Sequence, residues 1–226
     1  MSSSAVVNVC RPEPRWPAIL AASAAVALHF ALPPALRFGP PWTIATIVAI
    51  GIIAASITRK RGMQRANDIL GYSILSVLTA GLLWGVGSLI FGLVVSQGVR
   101  ATDILRAAAV LWTTNVLVFA SWYWRIDAGG PNAREQRGAH TEGAFLFPQM
   151  TVTTSSGTST IAEEKGWTPH FVDYLFIAFN TSTAFSPTDA PVLSKLAKVA
   201  MMIQAIISFT TVVLIAARAV NVLPML

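Results

Sequence analysis

The sequence predicts an all-α fold, a polytopic membrane helix bundle of five transmembrane helices plus one short re-entrant half-helix. Three observations predict it. Of 226 residues, 54% are hydrophobic and only 12% are charged, and the mean hydropathy is +0.61, outside the range of ordinary soluble domains. Five apolar runs are long enough to cross a hydrocarbon core about 30 Å thick, which takes roughly twenty helical residues at about 1.5 Å each. A sixth run, at 171–179, is far shorter and is followed by a polar stretch.

In chain order, a polar tail at 1–15 comes first. It is too polar for the hydrophobic region of a signal peptide, so the run behind it reads as a retained anchor and Cys10 as a plain free thiol. Spans follow at 16–36, 42–58, 69–95 and 104–124, making 16–126 a four-helix membrane region. Trp16, Trp42, Trp122 and Trp124 fall near the ends of these runs, where indole rings prefer the headgroup boundary. Residues 127–168 form a hydrophilic loop, whose "TVTTSSGTST" tract has the composition of a mobile linker. Within that loop the apolar, proline-stiffened "FLFPQM" at 145–150 is expected to dock on the membrane surface or on the bundle. The last segment, 169–226, holds the half-helix, a polar loop and a final span at 196–222.

Sixteen Lys and Arg against ten Asp and Glu give a net charge of +6. In a membrane protein such an excess reports cytoplasmic loops rather than nucleic-acid binding. The second loop holds Arg59, Lys60, Arg61 and Arg65 without an acid, whereas the first offers only Arg37. This assigns the second loop, the N-terminus and, counting forward, the long loop to the cytoplasm.

The stretch "FNTSTAFSPTDA" at 179–190 concentrates the candidate binding residues: Asn180, Thr181, Ser182, Thr183, Ser186, Thr188 and Asp189. Hydroxyls and irregular backbone at membrane depth must be buried in protein or line a wet cavity, so a half-helix with an irregular return fits the length. The competing reading is that "SPTD" caps the final helix, beginning near Pro191, at the membrane surface. In the final span Gln204, Ser208, Thr211 and Arg218 recur on one face, which suits either a permeation path leading to the Thr-rich loop or interhelical hydrogen bonding. Asp173, two residues into the short run, is placed to bind a cation or to pair with Arg125. In the fourth span Thr113, Thr114 and Asn115 read as packing residues, as does His29 in the first. Gly81, Gly85, Ser88 and Gly92 form a strip of small residues suited to close helix packing or an oligomer seam.

The short apolar helix, the return loop closing on Asp189 and the long final helix loosely resemble the pore half of the two-helix potassium-channel family. That family's T-V-G-Y-G-D filter replaces an ion's water shell with backbone carbonyls. Here Ala184, Phe185, Ser186, Pro187, Thr188 and Asp189 stand in its place, with Ser186 and Thr188 at the glycine positions. The resemblance therefore implies a pore-like shape without potassium selectivity. The loop would also enter from the cytoplasmic side, inverted as in glutamate-receptor-type channels. Over nearly the whole chain, "NVLVFASWYWRIDAGGP", "FLFPQM", "YLFIAFNTSTAFSPTDAP" and "AKVAMMIQAIISFTTVVLIAARAVN" resemble a family of bacterial integral membrane proteins of unknown function. This second resemblance implies a multi-pass protein of the bacterial inner membrane and assigns no role to any residue.

A single cysteine and three dispersed histidines leave no metal-ligand spacing, and no nucleophile-elbow, zincin or phosphate-loop motif is present. The expectation is a non-enzyme without cofactor, partnered by the lipid bilayer, by further copies of itself and by ions or small solutes. Its function reads as channel-like or transporter-like permeation through the polar loop at 180–189, or alternatively as a membrane scaffold or binding protein with no transport activity.

Overall fold

The structure, a computed structural model, describes residues 13–95, 101–137, 140, 143–152, 160, 167–183 and 190–222. Seven α-helices are present among them: α1 Trp16–Ala31, α2 Trp42–Lys60, α3 Gln64–Val95, α4 Ala101–Ile126, α5 Pro131–Arg137, α6 Phe171–Thr183 and α7 Lys195–Val222. The helices α2, α3, α4 and α7 are long and apolar enough to cross a membrane, and α1 is a shorter apolar helix. The bundle is all-α, and an isolated β bridge pairs Phe145 with Val192.

Local chemistry explains the ends of α1 and α2 and the start of α7. Helix α1 starts with a proline in its first turn, where no backbone N–H is needed. It stops at Ala31, before Pro33 and Pro34, rather than continuing to residue 36 as the hydropathy suggests. Arg37 then folds back, its guanidinium donating to the Leu32 and Phe30 carbonyls at the open end of α1. Helix α2 closes through Gly62 at φ +70°, a backbone conformation that favours glycine. Helix α7 is capped by Ser194, whose Oγ accepts from the Ala197 N–H at 3.1 Å. This corrects the expectation that "SPTD" caps a helix beginning near Pro191: the 191–193 segment is extended, exchanging backbone hydrogen bonds with Ala144 and Leu146.

Helix α4 is the centre of the bundle, packing against α1, α3, α6 and α7, while α2 lies outside against α3. Exposed Ile47, Ile50, Ile53 and Ile57 on α2 form the kind of apolar face that lipid covers. The glycine strip on α3 divides. A Cβ on Gly81 would meet Ile44 of α2 at 2.7 Å and one on Gly85 would meet Leu111 of α4 at 2.7 Å, but one at Gly92 would meet nothing. Close packing thus explains Gly81 and Gly85; Ser88 and Gly92 line a lateral apolar groove of about 990 Å³ beside Trp84 and Phe91.

The relation of α6 to α7 decides the half-helix. Gln204 bonds to Ala178 and Ser208 to Ser182, so a four-residue advance on one helix matches a four-residue advance on the other. The two helices run parallel. Both start at the same face of the bundle, and the 13 residues of α6 rise only about 20 Å before the chain must return to begin α7. Among the described residues, the N-terminus of α1, the α2–α3 turn, the C-terminus of α4, α5 and the starts of α6 and α7 all meet at that face. Hydrogen bonds and ion pairs join them from Arg15 to Glu135, Asn132 to Asp68, and Leu146 to Pro191.

Candidate functional site

Two polar centres occupy the bundle, one at mid-depth and one at the charged face. The first is built where α6 ends against α4 and α7. Gln204, Ser208 and Thr211 are fully buried, as is Asn115. Gln204 Nε2 donates to the Ala178 carbonyl at 2.7 Å and to Ser182 Oγ at 2.8 Å, while its Oε1 accepts from the Tyr123 hydroxyl. The Ser182 carbonyl, near the end of α6, accepts from Ser208 Oγ at 2.9 Å and from Trp112 Nε1 at 3.3 Å. Asn115 Nδ2 donates to the Gln204 carbonyl at 3.1 Å, and Thr211 bonds back within its own helix. Gln204 and Ser208 of the α7 stripe therefore tie α7 to α4 and α6 in a fully buried region, while Asn115 Oδ1 is buried there without a partner.

The other predicted residues scatter around this centre. Thr181 is buried and bonds its own helix at Ile177, Thr183 is exposed and bonds Phe179, and Asn180 is half-buried. Ser186, Thr188 and Asp189 lie outside the described residues, as does the Arg218 side chain. Asp173 does not meet Arg125: its Oδ2 accepts from the His170 N–H at 2.7 Å, capping α6, and Arg125 instead faces Asp68 at 3.4 Å. The single-turn separation of Asp173 from the helix start makes the cap the nearer partner.

The second centre grows from "RIDAGGP". After Ile126 the chain reverses through Ala128 at φ +49°, Gly129 at +77° and Gly130 at +90°. Non-glycine residues seldom adopt such angles, and a Cβ at Gly130 would strike the Arg125 carbonyl at 2.8 Å. The reversal holds Asp127 fully buried. Its Oδ1 accepts from the Ala144 N–H at 2.5 Å and the Phe145 N–H at 3.3 Å; its Oδ2 accepts from the Tyr174 hydroxyl at 2.6 Å and meets His140 Nε2 at 2.6 Å. One carboxylate thereby fastens α4, the "FLFPQM" segment and α6. That segment docks on the bundle, with Phe145 and Phe147 buried against Tyr123 and Tyr174. From α5, Arg134 donates to the Trp124 and Asp127 carbonyls at the end of α4 and pairs with Glu13 at 2.9–3.1 Å.

Trp124 lies beneath this cluster. It was expected in the headgroup belt, but it is buried, donates Nε1 to Glu13, and carries the guanidinium groups of Arg15, Arg125 and Arg134 at 5.3, 5.7 and 6.0 Å from its ring. Trp122 likewise turns inward, donating to Thr79 Oγ1 at 2.9 Å. Only Trp16 and Trp42 stand exposed as the belt expectation requires.

Beside Trp124 a cleft of about 500 Å³ opens between α1, α2, α3 and α4. Its deeper wall is Ala22, Ile52, Ile74 and Leu75; its mouth carries Arg15, Arg59, Lys60 and Arg125, with no acid among its lining residues. Gly71 makes room there, since a Cβ at that position would lie 2.0 Å from the Arg125 guanidinium carbon. Arg15 contacts Asn132 at 2.9 Å and Glu135 at 3.2 Å through NH2 alone; its Nε and NH1 are buried without a hydrogen-bond partner. Burial draws the Arg15 guanidinium down to about 10, against the opposing pull of Glu135. In the sequence Arg15, Asp127 and Arg134 count only as loop charges and His140 as a dispersed histidine, although the paired glycine in "DAGGP" marks the turn that holds Asp127.

No protein-family model matches the chain, and no curated protein or solved structure matches it either.

Proposed function

We propose that this protein is a membrane-embedded binding protein with no transport activity, residing in a bacterial inner membrane with its charged face toward the cytoplasm. The observation that carries this reading is the pairing state of the mid-depth polar stripe. Gln204 and Ser208 are buried with their side chains bonded inside one chain, and such groups hold helices together rather than offer ligands to a passing ion. Support for the orientation comes from the charged face, which gathers Arg15, Arg59, Lys60, Arg125 and Arg134, whereas the opposite end offers Arg37 and Arg106 among the described residues.

A second reading, a channel-like or transporter-like path through the polar loop at 180–189, draws on the parallel α6 and α7, because a half-helix that stops at mid-depth is also how pore loops are built. Such a pore would require several copies around an axis. Reconstitution in liposomes separates the two. The binding reading expects ion and small-solute flux equal to that of protein-free vesicles, and flux above that level from folded protein supports the path.

A further inference from the structure

We infer that the cleft between α1, α2, α3 and α4 is a binding site for one anionic phospholipid, its phosphate held by Arg15 and its neighbouring cations and its acyl chain lying against Ile52, Ile74 and Leu75. The inference rests on the reading of the protein as a binding protein and names the class of ligand.

A guanidinium whose Nε and NH1 are buried without a partner bears a desolvation cost that the contacts to Asn132 at 2.9 Å, Glu135 at 3.2 Å and the Trp124 ring at 5.3 Å leave partly unmet. Glu135 is itself shared with Arg59 at 3.2 Å, and the Arg125–Asp68 contact is long at 3.4 Å, so the mouth retains cationic charge beyond what its two acids balance. A planar fork of N–H donors beside further cations matches a phosphate in shape and sign.

The cleft's two ends then select the rest of the ligand. Cations line the mouth, at the face where the headgroup region lies, and aliphatic side chains line the interior along the spans. That order of charge and hydrocarbon along the membrane normal is the order within a phospholipid. A free phosphate would satisfy the arginines but leave the apolar wall uncovered, whereas phosphatidylcholine would bring, with its phosphate, a choline cation to a mouth already lined by Arg15, Arg59, Lys60 and Arg125.

The test uses the full chain in mixed micelles, measuring thermal unfolding and bound lipid by native mass spectrometry with phosphatidylglycerol, phosphatidylcholine or inorganic phosphate. One retained phosphatidylglycerol and a rise in Tm on the order of 5–10 °C at saturating lipid are expected, with little response to phosphatidylcholine or phosphate. The variant Ser56→Trp, at an exposed cleft wall position whose hydroxyl bonds only its own helix, is expected to keep its basal Tm and lose the phosphatidylglycerol rise. Lys60→Gln, also exposed, is expected to weaken retention by a few-fold. Equal responses to the two lipids, a full rise with phosphate alone, or an undiminished rise in Ser56→Trp would each overturn the inference. Flux in liposomes would instead overturn the binding reading, whatever the lipid response.

Discussion

The mid-depth centre around Gln204 and the cleft mouth around Arg15 are both buried and polar, yet they differ in how their donors end. At Gln204 the side-chain groups close on Ala178, Ser182 and Tyr123 within the chain. At Arg15 two nitrogens end on nothing. The lesson is that polarity in a membrane span does not by itself indicate a path or a ligand; the pairing of each donor does. Donors closed within the chain act as an adhesive, and a cation whose donors stay unpaired attracts an anion.

Four substitutions probe that contrast. Asp127→Ala, which strands the Tyr174 hydroxyl, His140 and two backbone N–H groups, should have the largest effect, a destabilisation of about 3–5 kcal/mol in detergent unfolding. Gln204→Leu strands Ser182 and Tyr123 and should cost about 1–3 kcal/mol, read by the same unfolding assay. Its liposome flux should stay at the level of protein-free vesicles; flux appearing in this variant would mean the stripe had been holding a path closed. Gly71→Ala pushes the guanidinium of Arg125 aside and should cost about 1–3 kcal/mol, but should markedly reduce phosphatidylglycerol retention, so the open centre responds in binding as well as in stability. Thr183→Ala, at an exposed hydroxyl that bonds only its own helix, should change stability by less than about 0.5 kcal/mol.

The membrane fold was legible because hydropathy and length act locally. The half-helix followed from the same arithmetic, and its parallel course beside α7 supplied what length alone leaves open. The first span was overestimated because the apolar run continues into Leu32 and Leu36 while Pro33 and Pro34 end the helix. The sites were less legible, since their partners are distant in sequence: His140 lies 13 residues and Tyr174 47 residues from Asp127, and Arg134 reaches back 121 residues to Glu13. Trp124 shows the same limit. Its position near a span end indicates a headgroup anchor, but of the three guanidinium groups that cover it only that of Arg125 is a sequence neighbour; those of Arg15 and Arg134 come from α1's start and from α5. Asp173 was read through charge, seeking a cation, when the nearest unmet donor was the backbone N–H of His170.

The central claim is that the mid-depth stripe is dry and closed. Single cysteines at Ser182 and Ser208, each close in size to the serine it replaces, in a Cys10→Ser background, test it by reaction with a small water-soluble thiol reagent in folded, membrane-embedded protein. With Lys60→Cys at the charged face as the exposed reference, the account predicts no labelling at either position until the protein is unfolded. Labelling of Ser182→Cys or Ser208→Cys at a rate near that of the reference would contradict it, because it would place water where these hydrogen bonds are said to exclude it.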